Sequence, residues 1–160
     1  LILTHCHIDH IGSAPYFRDH FGCKILIHDL DADAVEEGDP VRTAANWYEA
    51  SFPPTRVDQR LKSDHEILRF AKENLHCLHT PGHTPGSISV YLDRSGKRIL
   101  FGQDIHGPFI SSFGSNIEHW KQSMNRLLAL QADILCEGHF GIFQSREQVE
   151  QYIRRYMRQY

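Results

Sequence analysis

Four short apolar runs in this chain each end in a loop that carries a histidine or an aspartate. Leu1–Leu3 leads into His5 and His7, and the run ending at Pro81 leads into His83. The run Arg98–Phe101 leads into Asp104, and Asp133–Cys136 leads into His139. Ligands outside strand ends are where α/β folds place their active sites. This repeated plan restricts the architecture more than any bulk property does.

The first loop is the densest. "THCHIDHIG" at positions 4–12 sets three histidines, one aspartate and one cysteine close together. Alternate side chains of an extended segment face the same way. His5 and His7 therefore share a face, and Cys6 between them is a spacer. If the chain turns toward a helix near Ser13, Asp9 and His10 swing together toward a second point. This spacing suits two adjacent metals. A zinc site takes about four ligands, and a catalytic one leaves a position for water, so each half needs more donors. The loops at His83, Asp104 and His139 supply them. His5, His7 and His83 make one set, and Asp9, His10 and His139 make the other. Asp104, with two carboxylate oxygens, can bridge them. Two ions so placed would hold a hydroxide, the nucleophile of metal-assisted hydrolysis.

The rest of the chain alternates β-like runs with helical patterns, which indicates one α/β domain over 1–160. Strands are expected at 1–3, 24–28, 65–70, 75–79, 87–92, 98–101 and 133–136. Helices are expected over 13–21 and 29–38, with Pro15 tolerated in a first turn and Gly38 as a stop. Residues 39–62 read as irregular because Pro53–Pro54 breaks any helix there. Within 42–56, Trp47, Tyr48 and Phe52 could form a pocket lid, a dimer contact or an ordinary packed loop. Ser115 with Glu118 signals a capping box for a helix over 116–131, and Ser145 with Gln148 signals another for the last helix. That last helix has its apolar positions at Val149, Tyr152, Ile153, Tyr156 and Tyr160. Thr84–Ser87, with proline second and glycine third, fits a type II turn.

Composition narrows the function classes. The 160 residues are 41% apolar and 23% charged, ordinary for a soluble globular protein. Net charge is −3 and the signs are interspersed, so nucleic-acid binding, which needs a basic stripe, is not expected. No apolar run approaches the roughly 20 residues that cross a bilayer. Cys6, Cys23, Cys77 and Cys136 form no CxxC pair and read as reduced thiols. With no leader signal, a cytoplasmic location is expected. Twelve histidines are the anomaly. His20, His28, His65, His76, His79 and His119 read as packed or solvated, and His106 as a contact to a ligand or to substrate. Arg154, Arg155 and Arg158 read as a solvated helix face.

HxHxDH, present as His5-Cys6-His7-Ile8-Asp9-His10, resembles the hallmark of the metallo-β-lactamase superfamily. "TPGHTPGS" around His83, the strand-terminal Asp104 and the "GH" at His139 resemble its later motifs, in order. The resemblance covers nearly the whole chain. It implies an αββα sandwich with a dinuclear centre at the edge between two sheets. It also implies several strands before HxHxDH, so the first sheet is expected to lack its N-terminal part, leaving an exposed edge and low stability. Asp104 resembles the bridging ligand of the glyoxalase II-like hydrolases. HxHxDH differs from the HxExD of flavodiiron reductases, and the chain is too short for the inserted domain of RNA-processing nucleases. The resemblance therefore implies a small-molecule hydrolase of thioesters such as hydroxyacyl-glutathione, of esters or of lactones. Two zinc ions are the default, with iron or manganese fitting the same ligands. Asp9 and Asp104 are the expected catalytic carboxylates, and a homodimer is compatible. The rival expectations are a persulfide dioxygenase with one iron held by His5, His83 and Asp104, and a metal-binding fragment without catalysis.

Overall fold

Alternation along the middle strands sets the layers. In a strand successive side chains point to opposite faces. Along Ile88–Arg94 (β5), Ile88 and Val90 join one apolar cluster while Tyr91 joins another on the opposite face. The same split separates Cys77 from Leu78 on Glu73–His79 (β4). The sheet is thus buried on both sides, and a second layer must cover each. The computed structural model, which describes residues 1–160, shows what those layers are.

The large sheet has six strands. They lie in sequence order: His65–Phe70 (β3), β4, β5, Lys97–Phe101 (β6), Ile134–Cys136 (β7) and Ile142–Phe143 (β8). Ile117–Ala129 (α4) and Arg146–Met157 (α5) cover its outer face. Leu100, Ile105, Trp120, Met124, Leu127, Leu135 and Ile153 fill the layer between. The small sheet pairs Leu26–His28 (β1) in parallel with Gln59–Leu61 (β2). Leu61, Cys77, Ile88 and Val90 pack between the two sheets. On the far side of the small sheet, Ile8–Ile11 (α1), Ala14–Phe21 (α2) and Asp29–Glu37 (α3) contribute Ile11, Ala14 and Val35 to a core with Ile25 and Ile27. The order helix, small sheet, large sheet, helix is the αββα sandwich.

Several elements differ from the sequence expectation, each for a physical reason. Residues 1–3 form only one bridge, Ile2 to Leu26, with hydrogen bonds from Leu3 N and to Leu1 O. The chain turns at Ile8 rather than near Ser13, so Asp9 and His10 stand on a single helical turn. β2 lies inside the stretch read as irregular; its Gln-Arg-Leu sequence carries no alternation, and its order comes from pairing with β1. The expected Ser115–Glu118 box is replaced by Asn116, whose side chain accepts the His119 amide. Ser145 caps α5 as expected. Tyr160 falls beyond the end of α5, with its ring against Phe109. Thr84–Ser87 closes a turn, but Gly86 does not take the positive φ of a type II turn. Glycine is required there by space, since a Cβ would lie 2.6 Å from the Asp31 carboxylate. No helix is long and apolar enough to cross a membrane.

Leu100 is fully buried on β6, flanked by β5 and β7. Leu100→Ala should cost about 3 kcal/mol of unfolding free energy, transfer loss plus cavity. Ile67→Ala, on the exposed edge strand β3, should change stability by less than about 0.5 kcal/mol. Urea unfolding of both variants checks this, and equal costs would contradict the layer assignment.

Candidate metal centre

Strand directions bring the four ligand-bearing loops to one edge. β4 and β6 are each antiparallel to β5, so they run the same way, and β7 is parallel to β6. The C-terminal ends of β4, β6 and β7 therefore share an edge, and His83, Asp104 and His139 follow those ends. The first loop is tied to the same edge because Ile88 N, at the start of β5, donates to Thr4 O at 2.8 Å.

Asp104 sits between two groups of histidines and turns one oxygen to each. Its Oδ2 lies 3.1 Å from His83 Nε2 and 3.8 Å from His5 Nε2. Its Oδ1 lies 3.1 Å from both His10 Nε2 and His139 Nε2. His7 Nδ1 faces His83 Nε2 at 2.9 Å, and His10 Nε2 faces His139 Nε2 at 3.0 Å. Asp9 Oδ2 joins the second group, 3.6 Å from His10 Nε2 and 3.5 Å from His139 Nε2. His5, His7, His83 and Asp104 are buried, whereas Asp9, His10 and His139 open toward solvent. All seven residues expected from the sequence are brought together, in the two expected sets.

The donors suit divalent cations. A tetrahedral zinc with bonds of about 2.0 Å spaces its ligand atoms by about 3.3 Å, close to the separations seen here. His5 Nε2, which points toward Asp104 Oδ2, is buried with no hydrogen-bond partner. Such orphaned polar atoms are costly unless something binds them. His83 donates its Nδ1–H to Pro108 O at 2.9 Å, which leaves the Nε2 lone pair facing Asp104. Thr4 Oγ1 lies 3.2 Å from His5 Nδ1 and orients that ring likewise.

Electrostatics agree with a site built for positive charge. Burial first, then the neighbouring His83 charge, lowers His5 well below its usual value and His7 to about 3. Both stay neutral at working pH and can ligate. Burial opposes ionisation of Asp104, but His10 and His83 outweigh it and hold the carboxyl far below the usual carboxylate range. For His10, burial is outweighed by the bond to Asp104 and by the charges of Asp104, Asp9 and Glu137, and its value rises. The backbone is strained at the same place. Asp104 takes a left-handed φ of 31°, a conformation that costs a non-glycine residue about 1–3 kcal/mol.

Residues that the sequence alone did not single out hold this geometry. Asp31, buried on α3, accepts Cys6 N at 3.1 Å, Thr84 Oγ1 at 2.7 Å and Gly86 N at 2.8 Å. It thereby joins the His5–His7 loop to the His83 loop. Ser115, freed from capping, donates its hydroxyl to His83 O at 2.6 Å. Glu137 is fully buried and accepts the His139 and Phe140 amides, each at 3.1 Å, and His106 Nδ1–H at 3.1 Å. The only sequence signal for Glu137 is a carboxylate at a strand end beside "GH". His106 lines the cavity as expected for a contact residue. That cavity, about 250 Å³, is also lined by Trp47, Tyr48 and Phe113. The charge of Asp9 first, then burial, raises the Tyr48 phenol.

The sequence profile of the metallo-beta-lactamase superfamily matches residues 1–139. The chain is 33% identical over 114 residues to the hydroxyacylglutathione hydrolase GloC of Haemophilus influenzae, covering 66% of this chain and 48% of that protein. It is 29% identical over 164 residues to an acyl-coenzyme A thioesterase of Gallus gallus, covering 89% of this chain and 56% of that one. The chain thus spans about half the length of these curated relatives. Among solved structures, a metallo-β-lactamase of Cronobacter sakazakii superimposes with a TM-score of 0.81 at 20% identity. The match covers 99% of this chain and 72% of that one and shows a shared fold.

Protons and stability are linked at His7. Unfolded, it titrates near 6.5, whereas the folded value is about 3. Between those values the unfolded chain binds the proton and the folded chain does not, so stability falls as pH drops through that window. His10, whose value is raised, acts in the opposite sense, and its contribution is lost as pH rises above 6.5 through the folded value. After chelation, urea unfolding from pH 6.5 to 4 should show a steady loss of stability. His7→Asn should flatten that loss; parallel curves for the two proteins would contradict the burial of a neutral His7.

Proposed function

Because the chain belongs to the metallo-beta-lactamase superfamily, we propose that it is a dinuclear metal-dependent hydrolase of a small thioester, ester or lactone. The observation that carries this reading is the division of Asp104, one oxygen toward each histidine group. His5, His7 and His83 would hold one ion and Asp9, His10 and His139 the other, with Asp104 shared. Zinc is the favoured metal for a histidine-rich set with carboxylates. Bound there, divalent ions supply Lewis acidity and bring the pKa of water toward neutrality.

The chain's own groups do the rest. Buried neutral His5 and His7 keep their lone pairs available at working pH. Pro108 O and Ser115 fix the His83 ring and its backbone, and Glu137 fixes the loop of His139. Asp9 lines the cavity beside the second group, and in this reading its carboxylate would take a proton from the attacking water. The ring of Phe113 lies 4.4 Å from that of His7 and keeps bulk water from that side. The names of the two curated relatives, a thioesterase and a hydroxyacylglutathione hydrolase, support the substrate class. A single-iron dioxygenase would leave His10 and His139 on Asp104 Oδ1, with Asp9 beside them, without a role.

A panel of thioesters and lactones, read by thiol release or acid release from zinc-loaded protein, tests the proposal. Wild type should turn over at least one class. Asp104→Ala should lose on the order of 100-fold or more, beyond the loss of an outer support. Near-normal turnover by that variant would sink the shared role of Asp104. Oxygen consumption with a persulfide by iron-loaded protein, in place of hydrolysis, would overturn the reaction class.

A further inference from the structure

The cavity beside the two histidine groups has a wall that the proposed chemistry does not use. Trp47 and Tyr48 stand on a single 3-10 turn, Ala45–Tyr48. Phe113 comes from another such turn, Ser111–Phe113. The ring of Phe113 bridges the two regions, 4.9 Å from Trp47 and 4.4 Å from His7. Ala44 and Pro108 complete the apolar part of the lining, and no lysine or arginine lines the cavity. Its carboxylates are those of Asp9 and Asp104.

The wall is built in place and is not a loose lid. Ala44 and Glu49, on either side of the turn, both take left-handed φ angles, 56° and 51°. Neither is glycine, so each is strained, and such strain collects at ligand sites. The segment is pinned directly to the first loop. Ile8 N donates to Thr43 O at 2.7 Å, and Cys6 Sγ donates to Arg42 O at 3.2 Å. Ala45, the first residue of the turn, is fully buried, while Trp47 remains 53% exposed. A large ring held half in solvent by a strained, anchored turn beside a reactive centre has an ordinary use, to bury a ligand's apolar part.

We infer that Trp47, Tyr48 and Phe113 form the acyl subsite of the enzyme, taking an uncharged apolar or aromatic acyl group and rejecting one that ends in a carboxylate. The inference deepens the hydrolase reading and rests on it for the identity of the reacting carbonyl. The acyl side is assigned to this wall because Phe113 lies against His7, within the buried group. A terminal carboxylate placed on the wall, away from the metal centre, would meet aromatic faces, whose charge distribution is repulsive to anions, and no lysine or arginine.

Two pairs, one member with a neutral and one with an anionic acyl end, test it on zinc-loaded protein. The binding pair is phenylacetate and succinate, each with one carboxylate free for the zinc centre, read by tryptophan emission. Trp120 is buried in the core, so a change on binding reports Trp47. Phenylacetate should shift the emission to shorter wavelength and bind at least about tenfold more tightly than succinate, the scale of pocket discrimination. Trp47→Phe should lose the signal, and Phe113→Ala should bring the preference below about threefold. The kinetic pair is a phenylacetyl and a succinyl thioester with one common thiol, whose kcat/KM ratio should show the same preference. A binding preference without turnover of either thioester would support the subsite and count against the hydrolase reading. Turnover of both thioesters at equal kcat/KM, or tighter binding of succinate, would overturn the subsite. Emission that shifts with protein concentration and not with phenylacetate would also overturn it, by assigning the wall to a contact between chains.

Discussion

One buried carboxylate carries much of the architecture. Asp31 is 1% exposed, yet its oxygens take the amide of Cys6, the hydroxyl of Thr84 and the amide of Gly86. Burial raises its pKa, and those three donors pull it back toward the ionised form. An unpaired buried carboxylate would be expensive, so the three bonds must form together or the segment opens. When they form, α3 of the small-sheet layer is locked to loops at the edges of both sheets. The loop of His5 and His7 and the loop of His83 then have a fixed separation. Cys6, a spacer for metal chemistry, matters here through its backbone N–H.

Around that lock, the site is assembled from strand ends and close approaches. Gly82 packs so closely on α4 that a Cβ would lie 2.4 Å from Trp120 Cα. Ser123 donates to Pro81 O at 2.7 Å, and Asn116 N to Gly82 O at 2.8 Å. The His83 loop is therefore clamped by α4 on one side and by Asp31 on the other. Asp104, strained into a left-handed conformation, is the meeting point of the two histidine groups. The Tyr160 hydroxyl donates to His106 O at 3.3 Å, which ties the end of the chain to the loop that also carries Pro108.

The parts of this structure that were legible in the sequence share a cause. Ligands for a metal come from few residue types, and a strand followed by a loop marks where they stand, so the converging positions could be named. The apolar runs of the strands and the helical spacing of α5 marked those elements for the same reason, since the signal is local, whereas the layering of two sheets came from the resemblance. What was not legible depends on distant partners. Asp31 looks like any acid in the first turn of a helix, and Glu137 like any acid in a loop. β2 has no pattern of its own and is ordered by β1. Ser115 and Asn116 are both good caps, and only the carbonyl of His83 decides which is released. Gly86 resembles a turn glycine, but it is Asp31 that leaves no room for a side chain.

In the proposed reading, seven residues form two adjacent metal sites sharing Asp104. Metal content of the purified protein, with Asp104→Ala beside it, tests this most directly. The account predicts about two divalent ions per chain in the wild type, zinc or a zinc and iron mixture, and about one or fewer in the variant. One iron per chain, or two ions retained in full by Asp104→Ala, would contradict it.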